Sequence, residues 1–176
     1  MSGVQRGYDR SFGGLIGAIV AALLLIGAVF LFTRLPAGDE PDGPPTVEYE
    51  RILEFARAEA PFDVLAPASV PAGWRATTVS FKTTADADNW HLGFLVDERE
   101  YVAVDQSTAE PDDVLAGASP ARGEDEPVQV DGAMWDVYTD GDDDHALVRT
   151  EGDVTTIVAG TTGTDVLVRF AESLQP

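Results

Sequence analysis

Cysteine is absent from this chain of 176 residues, and lysine occurs only once, at Lys82. Without cysteine the chain has no disulfide framework, no thiolate nucleophile, no cysteine-based metal site and no cysteine for a lipid anchor. Histidine occurs twice, at His91 and His145, and the sequence contains no Gly-x-Ser-x-Gly motif. The chain therefore lacks the local signatures of thiol enzymes and of α/β-hydrolases.

Basic residues are few overall. There are 11 lysines and arginines against 31 aspartates and glutamates, and the net charge is −20. A surface this acidic repels nucleic-acid phosphates and anionic lipid head groups. We therefore expect no nucleic-acid partner, and we interpret the charge as a solvated acidic surface that can attract cations or basic partners.

One segment has no charge at all. Residues 11–33 contain no acid, base, amide or proline, and as a helix they would span ~30 Å, the thickness of a bilayer core. A signal peptide has a shorter apolar region followed by a small-x-small cleavage site, which residues 33–38 match poorly. The run predicts an uncleaved transmembrane helix at 11–33, with cleavage as the remaining alternative.

The bases beside this segment predict its orientation. Arg6 and Arg10 precede it, and Arg34 alone follows it closely. Because positive residues favour the cytoplasmic side, we predict a single-pass protein of the cell (plasma) membrane with a cytoplasmic tail at 1–10. An acidic Pro/Gly spacer at 34–45 would then lead to an extracytoplasmic domain at 46–176.

Small residues recur at four-residue spacing within the predicted span. Gly13, Gly17 and Ala21 form one such stripe, and stripes of this kind let two membrane helices approach closely. Glycine and alanine are also simply common in spans, which is the interpretation we favour. A weak homodimer through Gly13 and Gly17 stays open as the second.

The exported region shows helix signals at both ends and strand signals between them. Thr46 is placed to cap a helix that ends near Ala60, and Thr164 is placed to cap a closing helix. Between them we predict a meander of about six or seven strands, with one helical turn around residues 112–115. Asp131-Gly132 is the strongest hairpin signal. The prediction is an α+β domain, with a mainly antiparallel sheet flanked by the two helices.

Several motifs occur in an order that is familiar from one family. They are Pro61-Phe62, Pro71-Ala-Gly-Trp74-Arg75, Trp90-His-Leu-Gly-Phe94, Gln106-Ser107, Trp135 and the carboxyl-terminal run from Ala146 to Leu174. In these the chain resembles the actinobacterial domain-of-unknown-function family DUF4245 along nearly its whole length. The resemblance implies a short tail, one membrane span and a single extracytoplasmic domain. It implies no catalytic residue, since that family has none assigned.

Two constellations are the strongest candidates for chemistry. Asp140, Asp142, Asp144 and Glu151 have the spacing of a calcium loop, but His145 stands where the sharp turn needs glycine. We interpret them as an acidic hairpin loop and predict no metal and no cofactor. If Gln106-Ser107 lies on the strand next to His91, then Trp90, His91, Gln106 and Ser107 form a small polar patch. That patch is our candidate ligand site, and we predict no catalytic residue.

We therefore expect a non-enzymatic binding or interaction module of the cell envelope, with envelope proteins as possible partners. Two alternatives stay open: an envelope hydrolase with a non-motif active site, and a structural or assembly subunit. A deep pocket around His91 would favour ligand binding or catalysis, whereas a flat, exposed apolar patch would favour protein partners.

Overall fold

The computed structural model describes residues 44–97, 99–141 and 144–176. In this part of the chain the fold is α+β, as predicted, with a seven-stranded antiparallel sheet, a two-stranded sheet and three helices. The elements are α1 Glu50–Glu59, β1 Ala66–Pro67, β2 Arg75–Thr83, β3 Asp88–Val96, β4 Glu100–Ser107, α2 Pro111–Ala118, β5 Gly123–Val130, β6 Ala133–Asp140, β7 Asp144–Glu151, β8 Val154–Gly160, α3 Thr164–Glu172 and β9 Leu174–Gln175.

The predicted tail, the span at 11–33 and most of the spacer lie outside the described residues. The Gly13/Gly17 stripe therefore lies outside them as well. No helix within the described ranges combines the length and the apolar character needed to cross a bilayer.

The strand order of the large sheet differs from the predicted meander. The order is β2-β3-β4-β8-β7-β6-β5, so β4 pairs with β8 and not with β5. The sheet thus consists of two antiparallel runs, β2–β4 and β5–β8. The chain crosses from one run to the other through α2, which has eight residues where the sequence predicted a single turn.

The burial of the strands explains this order. β4 and β8 are buried along most of their length, whereas the edge strand β5 is exposed along nearly all of it. Residues 102–104 of β4 and 157–159 of β8 form the apolar middle of the sheet, where each strand has a neighbour on both sides. Edge strand β5 carries acids and a proline, which discourage pairing with another chain.

The predicted helices are present, but they begin at other residues. Thr46 does not cap α1, because the chain there is extended and Val47 N donates to Ala76 O on β2 at 2.9 Å. The cap residue of α3 is Gly163, and Thr164 is its first helical residue. The Asp131-Gly132 hairpin is confirmed, and both of its residues have the positive φ of a primed turn, 48° and 83°.

The two faces of the large sheet are covered differently. On one, here called the core face, α1, α3 and the connector at 60–74 cover an apolar core whose large members include Trp90, Leu92, Phe94, Trp135, Leu147, Leu167 and Phe170. On the other, called the α2 face, Leu115 of α2 and Ala121 pack on Ala146, Val148, Ile157 and Ala159. This second cluster lies over β7 and β8, while the β2–β4 part of the α2 face carries polar side chains.

The connector is held at its last residue, Trp74, and near its middle, at β1. Trp74 stacks on Phe170 at 5.6 Å between ring centroids and lies 6.2 Å from Phe94. The short strand β1 pairs with β9, so Pro67 lies opposite Leu174. Leu174 lies in β9, beyond the end of α3 at Glu172.

Candidate functional site

Four polar side chains meet on the β2–β4 part of the α2 face. His91 Nδ1 lies 2.7 Å from Asp105 Oδ1, and His91 Nε2 lies 2.9 Å from Thr78 Oγ1. The Tyr101 hydroxyl is 2.9 Å from Thr78 Oγ1 and 3.2 Å from His91 Nε2. We call these four residues the His91 network. Three adjacent strands hold them, so their geometry is set by strand register.

The bond to Asp105 determines which ring nitrogen of His91 carries the proton. A carboxylate only accepts hydrogen bonds, so Nδ1–H donates to Asp105. In the neutral ring Nε2 is then an acceptor for the hydroxyl of Thr78 or Tyr101. The side chains of His91 and Asp105 are 31% and 20% exposed, so the network is open to a ligand from one side.

Gly93 makes the network possible. It lies on β3 opposite Ala103 and Thr78, two residues after His91 on the same face. A Cβ at this position would collide with the Tyr101 hydroxyl and with Thr78 Oγ1. The glycine of the Trp90–Phe94 motif therefore leaves the space into which the tyrosine closes.

The environment of Tyr101 changes the pKa of its phenol. Burial raises the pKa of its phenol above the usual value of 10.0, and the negative charge of Asp105 adds to the increase. The hydrogen bond with Thr78 lowers the pKa of the phenol, but by less than burial raises it. The phenol therefore stays protonated, and able to donate, throughout the neutral range.

A groove of about 540 Å³ lies between this polar surface and α2. The sheet contributes Ser80, Lys82, Asn89, His91, Asp105 and Ser107, and the helix side contributes Ala109, Asp113, Val114, Gly117 and Ala118. Hydrogen-bonding groups thus face small apolar side chains. Ligand sites commonly combine a concave shape with a few placed polar groups in this way.

The four residues of the predicted patch all border this groove, but their side chains point to opposite faces of the sheet. Gln106 and Ser107 lie on the strand next to β3, which is the condition on which the predicted patch depended, and Gln106 is opposite Trp90 while Ser107 is opposite Asn89. Successive residues of a strand alternate between faces. His91 and Ser107 therefore share the α2 face, while Trp90 and Gln106 share the core face.

On the core face Trp90 and Gln106 bind the connector. Trp90 Nε1 donates to Leu65 O at 2.9 Å, and Leu65 N donates to Gln106 Oε1 at 2.7 Å. The two residues are 1% and 3% exposed. Ser107 also has protein partners, because its hydroxyl donates to Asn89 Oδ1 at 2.8 Å. Among the four, only the side chain of His91 belongs to the network that faces the groove.

Sequence reasoning missed Thr78, Tyr101 and Asp105. Asp105 did carry a signal, since it is an acid that directly follows the apolar run Val102-Ala-Val104 within the strand. A charged residue on a central strand needs a partner or an opening to water. Thr78 and Tyr101 carried no comparable signal, because their roles depend on register.

A second hollow, of about 320 Å³, lies where the connector meets β6–β8 on the core face. Phe62, Trp135, Arg149 and Gln106 are among its lining residues. Two of its polar side chains are engaged, since Arg149 pairs with Glu151 at 2.8 Å and Gln106 binds the connector. The groove on the α2 face is larger, at about 540 Å³, and His91 and Asp105 of the His91 network line it, so it is the better candidate site.

The acidic hairpin loop between β6 and β7 is a weaker candidate site than the groove. Asp140 and Asp144 face each other at the end of the β6–β7 hairpin, while Asp142 lies outside the described residues. Within the described ranges no three histidine, aspartate or glutamate side chains are grouped so as to hold a metal ion.

One family model, described as "Protein of unknown function (DUF4245)", matches residues 8–174 of the chain. No curated protein and no solved structure gives a significant match.

Proposed function

The chain belongs to the DUF4245 family, and from that premise we propose that it is a single-pass membrane protein with a ligand-binding domain. In this proposal the apolar segment at 11–33 anchors the protein in the cell membrane, and the acidic domain lies outside the cytoplasm. The domain acts as a non-enzymatic binding module of the cell envelope. Nucleic acid is an unsuitable ligand, because the chain carries a net charge of −20.

The observation that carries the binding proposal is the groove beside the His91 network. Its polar floor is held in place by hydrogen bonds between three strands and by the space at Gly93. A site held in this way loses little conformational freedom when a ligand arrives, which favours binding. A deep pocket around His91 would favour ligand binding or catalysis, and the groove beside His91 supports the proposal on that ground.

The two histidines provide an internal test. In full-length protein in detergent micelles, ¹³Cε1-labelled histidine gives two signals, one from the groove and one from His145. His145 Nδ1 lies 3.3 Å from Thr164 Oγ1, against α3, and so reports on the opposite face. We would titrate the protein with a panel of amino acids, short peptides, monosaccharides and disaccharides.

A compound that shifts the His91 signal and leaves the His145 signal in place supports the binding module. His91→Ala should weaken the binding of that compound, whereas His145→Ala should leave its affinity unchanged. If no compound in the panel moves the His91 signal selectively, the proposal is wrong and an assembly role becomes the better explanation.

A hydrolase is the second candidate, and one observation favours it. Thr78, His91 and Asp105 are connected in the order hydroxyl–imidazole–carboxylate, as in a nucleophilic triad. Thr78 Oγ1 would attack an ester carbonyl while its proton passes to His91 Nε2, and from there to the leaving alcohol. Water would then hydrolyse the acyl-threonine, with His91 as the base.

p-Nitrophenyl acetate distinguishes the two candidates. An enzyme should release nitrophenol at a rate that Thr78→Val abolishes and that Thr83→Val, an exposed control at the end of the same strand, leaves unchanged. If Thr78→Val and the unmodified chain react equally slowly, the hydrolase candidate is rejected.

The location can be tested separately. Protease added to whole cells should degrade the domain and leave cytoplasmic marker proteins intact. Protection of the domain under these conditions, or recovery of the intact chain from the cytosol, would overturn the proposed location.

A further inference from the structure

Two ionisable side chains that border the groove have no ion-pair partner among the described residues. They are Lys82, at the exposed end of β2, and Asp113, in the first turn of α2. The other two charged or chargeable residues of the groove, His91 and Asp105, are bonded to each other. Among the described residues, the groove therefore has a cation without an ion-pair partner on its sheet side and a carboxylate without one on its helix side.

Lys82 is unusual in this chain. It is the one lysine in a protein with a net charge of −20, where acidic partners are abundant. Its neighbour across the strand pair is Asn89, which is neutral. The three ion pairs in the described residues do not involve it.

Gly117 adds an independent observation. Glycine costs about 1 kcal/mol relative to alanine in a helix interior. Gly117 is the seventh of the eight residues of α2, in its last turn, where the cost is smaller. Its φ is not positive, and a Cβ there would meet no atom within 4 Å. The fold therefore does not require glycine at this position. Such a departure from local preference often marks a functional surface, and here the missing side chain widens the groove.

The charges limit the ligand. An anion would be attracted by Lys82 but repelled by the field of the whole domain, and a cation would leave Lys82 unpaired beside it. A molecule with both an ammonium and a carboxylate group complements both sides of the groove. The serine and asparagine side chains of the floor can then bind a polar linkage such as a peptide bond.

We propose that the groove binds a zwitterionic ligand of the amino acid or short peptide class. Lys82 binds the carboxylate, Asp113 binds the ammonium group, and the space beside Gly117 accommodates the backbone between them. This inference rests on the proposed function, because it names the ligand class of the same groove.

The single lysine allows a direct test in the full-length protein. With ¹³Cε-labelled lysine, one side-chain signal reports on Lys82 alone. The probes are trialanine, N-acetyl-trialanine, which lacks the ammonium group, and trialanine amide, which lacks the carboxylate. Trialanine should shift the Lys82 signal in a saturable way, and each modified probe should bind about tenfold more weakly, as expected for loss of one charge-assisted hydrogen bond.

Three variants separate the parts of the site, with binding followed by the His91 signal. Lys82→Gln and Asp113→Asn should each lower the affinity for trialanine by about tenfold. Gly117→Leu should abolish binding, because the leucine side chain fills the groove. Leucine has a higher helix propensity than glycine, so a loss of α2 would not explain the loss of binding. Arg51→Gln on α1 and Asp131→Asn in the β5–β6 turn are exposed controls that should leave the affinity unchanged.

The proposed ligand class is overturned if trialanine leaves the Lys82 signal in place, or if the two blocked peptides bind as well as trialanine does. The proposed function is judged separately, by the compound panel. In one outcome of that panel, a monosaccharide or disaccharide shifts the His91 signal and trialanine does not. That result would support the proposed binding function and contradict the proposed zwitterionic ligand class.

Discussion

The two faces of the same sheet contribute differently to this protein. The core face buries large side chains such as Leu92, Phe94 and Leu147 beneath two helices and the connector. The α2 face buries a small cluster around Ile157 and leaves its β2–β4 part polar and half-open. Because burial of apolar area is the main source of stability, we expect the core face to determine whether the domain folds. The α2 face is then free to carry a site.

The largest expected effect comes from the aromatic cluster of the core face. Phe170 is buried and contacts Trp74 and Phe94, so Phe170→Ala should lower the free energy of unfolding by about 3–5 kcal/mol. Denaturant unfolding followed by tryptophan fluorescence would measure this. The matched change on the α2 face is Leu115→Ala, which should cost less because its cluster is smaller. Equal losses would contradict the difference between the faces.

Gln106→Leu tests the link between the core face and the connector. The substitution keeps the approximate volume but leaves the buried Leu65 N–H without its acceptor, which should cost about 1–3 kcal/mol. Gln129→Leu, at an exposed position, should change the unfolding free energy by less than about 0.5 kcal/mol. A neutral Gln106→Leu variant would show that the connector is held by other contacts.

Gly93→Ala tests the α2 face. The added methyl group would collide with Tyr101 and Thr78, and should destabilise the domain by about 1 kcal/mol, because the tyrosine side chain can rotate away. In the His91 spectrum the same variant should show a shifted ring signal. If Gly93→Ala is combined with Tyr101→Ser, the second change makes room for the first, and the two effects should not add.

The smallest effect is a loss of stability in alkali. Since burial raises the pKa of Tyr101 in the folded state above its unfolded value of about 10, the stabilising contribution is complete below about pH 10. It is lost as the pH rises through the folded pKa. Tyr101→Phe should reduce this alkaline loss without removing it, because burial also raises the pKa values of Tyr49 and Tyr138. Absorbance titration of tyrosinate and unfolding at several pH values would measure both.

Much of the fold could be predicted from neighbouring residues. The two-residue turn at Asp131-Gly132, the spacing of Leu167 and Phe170 in α3 and the alternation of apolar and polar residues at 79–82 in β2 are signals within a few positions of each other. The helix starts were less accurate, because Val47 pairs with β2 and this long-range contact prevails over the local capping preference of Thr46. The candidate site was predicted only in part: His91 was found, but three of its partners were not.

What the sequence by itself determined is the type and approximate place of most elements, since helix and strand periodicities are local properties. It also determined the strong negative charge and the absence of cysteine chemistry. Tertiary structure alone decided that β4 pairs with β8 and that Thr78 and Asp105 flank His91. Those pairings bring together residues distant along the chain, and their register is set by packing on both faces. A shift of one residue would turn each side chain to the opposite face.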